Sequence, residues 1–198
     1  MNHLSPSEQN HLSSAFQEIQ TRSQYALNTY KPYFKQELFH AAGKDYRERL
    51  LRAGNQNGKT HAGGMEMAYH CTGLYPDWWQ GRRLTTSNPV IWASSDTGET
   101  TRDNPQRALL GLVGEFGTGS IPKHCIIASK PARGIVDLLD YAKIQHHDAQ
   151  GNPDGITTLR FKYYEQGRQR WQGPPVDVLW FDEEPPQDIY AEGMARTI

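Results

Sequence analysis

Residues 52–60 bring together groups that can grip a polyphosphate: Gly54, Asn55, Gln56, Asn57, Gly58, Lys59 and Thr60. Gly58 permits a tight backbone turn, so that the N–H groups of this loop face anionic oxygens. Lys59 places a point charge where β- and γ-phosphates would lie. Thr60 offers a hydroxyl to Mg²⁺, which prefers hard oxygen ligands. The pattern G-x-x-x-x-G-K-[ST] would put its first glycine at Ala53, and Gly54 comes one position later. Alone, the stretch is equally readable as an ordinary loop–helix junction.

A second stretch supplies carboxylates. Residues 176–181 are mostly apolar and end in Asp182 and Glu183, with prolines at 174–175 and 185–186 on either side. Such a run reads as a strand buried on both faces. A carboxylate at the C-terminal end of a parallel strand lies where ligands bind in open α/β sheets. Asp182 is then placed to hold Mg²⁺, and Glu183 to orient and deprotonate an attacking water. The competing reading is an acidic turn ahead of a helix near Pro186, where Glu184 and Asp188 suit the helix dipole.

These groups need a scaffold. Glu48 to Arg52 is expected as the first core strand, and Lys59 opens a helix that stops near Gly73. Residues 90–94 read as a second buried strand. Residues 95–97 cap a helix carrying Arg102, Arg107 and the apolar cluster of Leu109, Leu110, Leu112 and Val113. Residues 125–128 form a third strand. Residues 141–147 and 156–164 form a hairpin, with Leu159, Phe161 and Tyr163 alternating against Thr158, Arg160 and Lys162. Upstream, Ser5, Pro6 and Glu8 open a helix whose stripe is Leu12, Phe16 and Ile19, continued by Ala26 and Leu27. A second short helix runs to Ala42, with Gly43 as its stop. Tyr33 and Gln36 could stack on and read an adenine, or could be surface positions. Residues 75–83, rich in Trp, Tyr and Arg, form either a base-stacking loop or an apolar plug with a basic rim.

The chain has 198 residues, enough for one α/β domain, with a formal net charge of −1. It is not a basic protein, so any nucleic-acid contact is local or made by other chains. Mean hydropathy is −0.76. No apolar run approaches the roughly 20 residues of a membrane span, and no signal segment opens the chain. Cys71 and Cys125 have no metal-site spacing and read as buried thiols. His146 and His147 are adjacent, so a strand would send them to opposite faces.

From about Pro32 to the end, the chain resembles the N-terminal ATPase domain of phage terminase large subunits, the DNA-packaging motors. The specific parts are residues 52–60, the segment 161–173 ending in Trp171-Gln172-Gly173, and residues 178–186 with Asp182-Glu183-Glu184-Pro185-Pro186. The altered first glycine is a family trait. The resemblance implies an α/β P-loop NTPase of the additional-strand type, with a central mostly parallel sheet flanked by helices. An inserted β-hairpin joins that core (44–198), and a helical extension precedes it (1–43). It implies ATP and Mg²⁺ as cofactors. Lys59 and Thr60 take the phosphate and metal roles, Asp182 binds the metal and Glu183 activates water. Gln36 and Tyr33 fall where the family contacts adenine. Implied partners are double-stranded DNA, a portal protein, a small terminase subunit and further copies in a homo-oligomeric ring, with no membrane, in the cytoplasm of a bacterial host.

Two departures stand out. Many family members carry a basic residue at the position of Asn55. A transition-state arginine must therefore come from elsewhere, with Arg52, Arg102 and Arg107 as candidates. The chain also stops soon after Glu184 and holds no acidic cluster for the family's nuclease domain. A truncated prophage product, an isolated ATPase domain, or a remnant that binds nucleotide or a partner without hydrolysis are the expectations, with another P-loop motor such as a helicase as the outside alternative.

Overall fold

The computed structural model describes residues 11, 14, 26–54 and 57–197. The stripe of Leu12, Phe16 and Ile19, the capping residues before it, and Asn55 and Gln56 lie outside the described residues. The first elements described over their full range are two short helices, α1 (Ala26–Thr29) and α2 (Phe34–Ala41). The helix α3 spans Lys59–Thr72, and strand β1 spans Val90–Ser95. Next come α4 (Gly98–Thr101), a π turn (Arg102–Gln106) and α5 (Arg107–Leu110). The strands β2 (Ile126–Pro131), β3 (Leu139–His147), β4 (Pro153–Tyr163) and β5 (Val178–Phe181) follow, and α6 (Gln187–Arg196) closes the described chain.

Local chemistry sets these bounds. Gly58 and Gly73 flank α3 with φ of 73° and 71°, the left-handed conformation that only glycine adopts at little cost. Thr97 caps α4 by accepting the Thr100 N–H. The π turn holds Pro105, which has no N–H to give to a helical ladder.

The sheet order is β2-β3-β4-β1-β5. β1 runs parallel to both β4 and β5. The β2–β3 and β3–β4 pairs are antiparallel, so the sheet is mixed rather than mostly parallel. The hairpin 141–164 is present as β3 and β4. On β4, Thr157, Leu159 and Phe161 are buried, and Thr158, Arg160 and Lys162 face outward to intermediate exposure. One face of the sheet packs on α3 through Met65, Tyr69, Ile91, Ala93, Leu159 and Phe161. The other face carries a smaller cluster of Trp92, Tyr164, Trp171, Val176 and Ile189. Each fully buried large apolar side chain of this kind contributes roughly 1.5–3 kcal/mol. The aromatic loop 75–83 is a plug: Trp79 is buried, Trp78 and Tyr75 pack on the core, and Arg83 lies over the Tyr75 ring at 4.9 Å.

Three further expectations are corrected. Residues 48–52 form no strand, and Leu50 is 81% exposed. A strand needs a ladder, and among the described residues none pairs with this segment. Arg49 instead turns inward to Phe39 and Glu66. β5 is shorter than 176–181 and is an edge strand of intermediate exposure, not one buried on both faces, because β1 is its sole ladder partner among the described residues. The third strand starts one residue late and is mostly exposed, again because it is an edge. Cys125 belongs to the 3₁₀ turn before it.

Candidate functional site

Two segments separated by 122 positions meet at one hydrogen bond. Thr60 Oγ1 donates to Asp182 Oδ1 at 3.0 Å. Thr60 is in the first turn of α3, which Gly58 starts. Asp182 follows β5, and its N–H donates to the Ser94 carbonyl of β1 at 2.9 Å. The Ser94 hydroxyl donates to the Trp180 carbonyl at 2.7 Å, stitching β1 to the end of β5. The helix therefore presents its free N-terminal amides beside a carboxylate held at the end of parallel strands, a setting for phosphate and a divalent cation.

Lys59 Nζ donates to the carbonyls of Ala53 at 2.7 Å and Gly54 at 3.0 Å, closing the loop upon itself. Burial pushes the Asp182 carboxyl above its ordinary range, with the charge of Glu183 adding to the rise. The Thr60 hydrogen bond and the Lys59 charge oppose it. The Glu183 side chain is exposed, and its backbone carbonyl accepts the Tyr164 hydroxyl at 2.6 Å. That bond fixes where the Glu183 side chain starts.

Two clefts adjoin the helix start. One, of about 640 Å³, is lined by Thr29, Tyr30, Tyr33, Gln36, Asn57, Gly58 and His61 among others. Tyr33 is 75% exposed, an available flat ring. Gln36 is 6% exposed and commits its amide internally. Its Oε1 accepts the Tyr33 N–H at 2.8 Å, and its Nε2 donates to the Gly58 carbonyl at 3.2 Å. The other cleft, of about 420 Å³, is lined by Thr60, His61, Asp103, Asn104, Arg107 and Ser120 among others.

The three arginine candidates separate. Arg107 is exposed and shares that second cleft with Thr60. Arg102 spends its guanidinium on both Asp103 oxygens, at 2.8 and 3.0 Å, and on the Val136 carbonyl. Arg52 is exposed on the irregular segment before the loop. Sequence reasoning passed over Tyr30, His61, Tyr164 and the serine Ser94. Their signals are long-range contacts, which no local spacing announces.

Residues 50–198 match the family model "Terminase large subunit, T4likevirus-type, N-terminal". The terminase large subunit of Salmonella phage P22 is 41% identical over 214 aligned positions, covering 100% of this chain and 42% of that protein. The chain thus spans about two fifths of the length of that curated relative. Among solved structures, the large terminase ATPase domain of Thermus phage P74-26 aligns with a TM-score of 0.55 at 15% identity. That alignment covers 86% of this chain and 61% of the other, and it shows a shared α/β fold.

Proposed function

This chain belongs to the terminase large-subunit family, and on that premise we propose that it is the ATP-hydrolysing part of a DNA-packaging motor. The observation that carries the reading is the Thr60–Asp182 hydrogen bond, which joins the phosphate loop to the acidic strand end. Residues 54–60 would hold the phosphates of ATP, and the cleft of Tyr30, Tyr33 and His61 would take its base. Lys59 leaves the Ala53 and Gly54 carbonyls for the β- and γ-phosphates. Thr60 and Asp182 would hold Mg²⁺, a fit supported by two adjoining oxygen donors with one carboxylate, the ligand set this ion prefers. The metal supplies charge neutralisation on the γ-phosphoryl.

The chain's own residues then do the rest. The helix amides and Lys59 stabilise charge that spreads over the transferred group. Glu183, anchored through its carbonyl by Tyr164, orients the attacking water and takes its proton. Arg107 is the best placed of the three arginines to face the γ-phosphate, since it borders the cleft of Thr60 and is exposed. In a full-length assembly the hydrolysis drives double-stranded DNA into a procapsid, in the host cytoplasm, through contacts with a portal protein, a small terminase subunit and neighbouring copies in a ring. Among the described residues no helix is long and apolar enough to cross a membrane.

Phosphate release tests the reading. Wild type releases phosphate from Mg-ATP, and Glu183→Gln binds mant-ATP equally while losing about 10²-fold or more in turnover, the usual share of a general base. Equal turnover by the two proteins contradicts the role of Glu183. Binding without any release by wild type supports instead a nucleotide-binding remnant.

A further inference from the structure

Helix α3 carries a carboxylate that the phosphate chemistry does not use. Glu66 is 4% exposed, two turns past Thr60. Its Oε2 lies 2.7 Å from His40 Nδ1, and its Oε1 accepts Arg49 Nη2 at 2.5 Å. His70 Nε2 stands 3.6 Å away. Burial opposes the charge, and the hydrogen bonds from His40, His70 and Arg49 outweigh it, holding the Glu66 carboxyl well below the usual range. A fixed anion therefore sits against one nitrogen of the buried His40 ring.

The other nitrogen leads toward the phosphate loop. His40 Nε2 is 3.1 Å from the Tyr30 hydroxyl, and that hydroxyl is 3.4 Å from Gln36 Oε1. Gln36 Nε2 donates to the carbonyl of Gly58, the residue before Lys59. A chain of polar contacts thus runs from Glu66 through His40, Tyr30 and Gln36 to the loop. Tyr30 is the decisive link because it has one hydrogen and two acceptors. Burial and the Glu66 charge push its hydroxyl well above its usual range, so it keeps that hydrogen. When both His40 nitrogens carry protons, Nε2–H donates to the Tyr30 oxygen, and Tyr30 donates to Gln36. When His40 is neutral with Nδ1–H on Glu66, the Nε2 lone pair takes the Tyr30 hydrogen, and Gln36 loses that donor.

We propose that His40 and Tyr30 are positioning residues for the phosphate-binding loop, the direction of the single Tyr30 hydrogen setting how firmly Gln36 holds the Gly58 carbonyl. Protonation of His40 tightens the loop and raises affinity for the nucleotide phosphates. This rests on the nucleotide-binding reading above and adds a proton-linked control to the same site. The titratable and charged groups around the pair are Glu66 and His70 on α3, Arg49 from the segment before the loop, and His61, whose ring packs on Tyr30 at 5.3 Å. The rings of Trp78 and Trp79 close the remaining sides at 6.1 and 5.3 Å from His40.

The test compares mant-ATP affinity at about pH 8 and about pH 5.5, a span in which histidine rings ordinarily gain a proton. Wild type, Tyr30→Phe, His40→Gln and the double variant are measured. Protonation of the nucleotide itself is common to all four and cancels in ratios. The wild-type to Tyr30→Phe affinity ratio should rise about fivefold at the acid end, one hydrogen bond of about 1 kcal/mol. His40→Gln should abolish that rise, and the double variant should match the single ones rather than add to them. A ratio unchanged between the two pH values overturns the proposal, even if nucleotide binding itself responds to Lys59→Ala. If His40→Gln fails to fold, the Tyr30→Phe ratio alone decides. No mant-ATP binding by wild type overturns the nucleotide reading and this proposal with it.

Discussion

Replacing Asp182 by Asn should stabilise the fold while weakening the site. The carboxylate lies half-buried at the end of β5, where burial and the adjacent Glu183 both raise the cost of its charge. A group whose folded value is raised contributes stability that is present in acid and lost as the pH rises through the folded range. At neutral pH Asp182 is therefore a net burden on the unliganded fold. Asparagine keeps the shape and keeps an oxygen to accept the Thr60 hydroxyl, now at 3.0 Å. A single stabilising substitution, the easing of an unfavourable charge among them, commonly gives about 0.5–2 kcal/mol. For a chain of this length that is about 1–8 °C in Tm, at roughly 2–4 °C per kcal/mol. Thermal melts by far-UV circular dichroism at neutral pH measure it directly. The gain should shrink in acid, where the wild-type carboxyl is protonated too. A Tm for Asp182→Asn at or below that of wild type at neutral pH refutes the reasoning, because the charge would then be supported by its surroundings rather than held against them.

Other outcomes follow from the packing. Gly63→Ala should destabilise by about 1–3 kcal/mol, the usual cost of overpacking. A Cβ there would stand 2.7 Å from Trp180 Cε2, forcing α3 away from β5, and urea unfolding measures the loss. Glu66→Ala should cost about 3–5 kcal/mol, since it strands the buried His40 and the half-buried Arg49. The Glu66 contribution is present above the ordinary carboxylate range and fades as the pH falls, so chemical denaturation in acid should narrow the gap between this variant and wild type. Cys71 and Cys125 should resist thiol reagents in the native protein and react on unfolding. Both are buried, and burial pushes the Cys71 thiol well up and the Cys125 thiol up to about 11.

Local grammar was readable where it was self-sufficient. Gly58 and Gly73 bracket α3 because each needs a left-handed backbone, and the alternation on β4 survives as one buried face. Asp182 follows β5, parallel to β1, as its flanking apolar run suggested. Readings that depended on neighbours fared otherwise. Residues 48–52, read as a strand from the Leu50-Leu51 pair ahead of the loop, find no ladder, and β5 has an exposed edge because β1 is its single ladder partner among the described residues. Glu66 has no local sequence signal, yet it is buried against groups 17 and 26 positions away. No spacing rule reports such contacts, because their partners are chosen by the tertiary fold.

On the proposed function, the turn before α3 cradles a nucleotide's phosphates with Lys59 as its cation. Titration of mant-ATP in the presence of Mg²⁺ against wild type and Lys59→Ala tests it most directly. Saturable binding by wild type, with a clear loss of affinity in Lys59→Ala at unchanged thermal stability, is the predicted result. Equal affinity of the two proteins contradicts it.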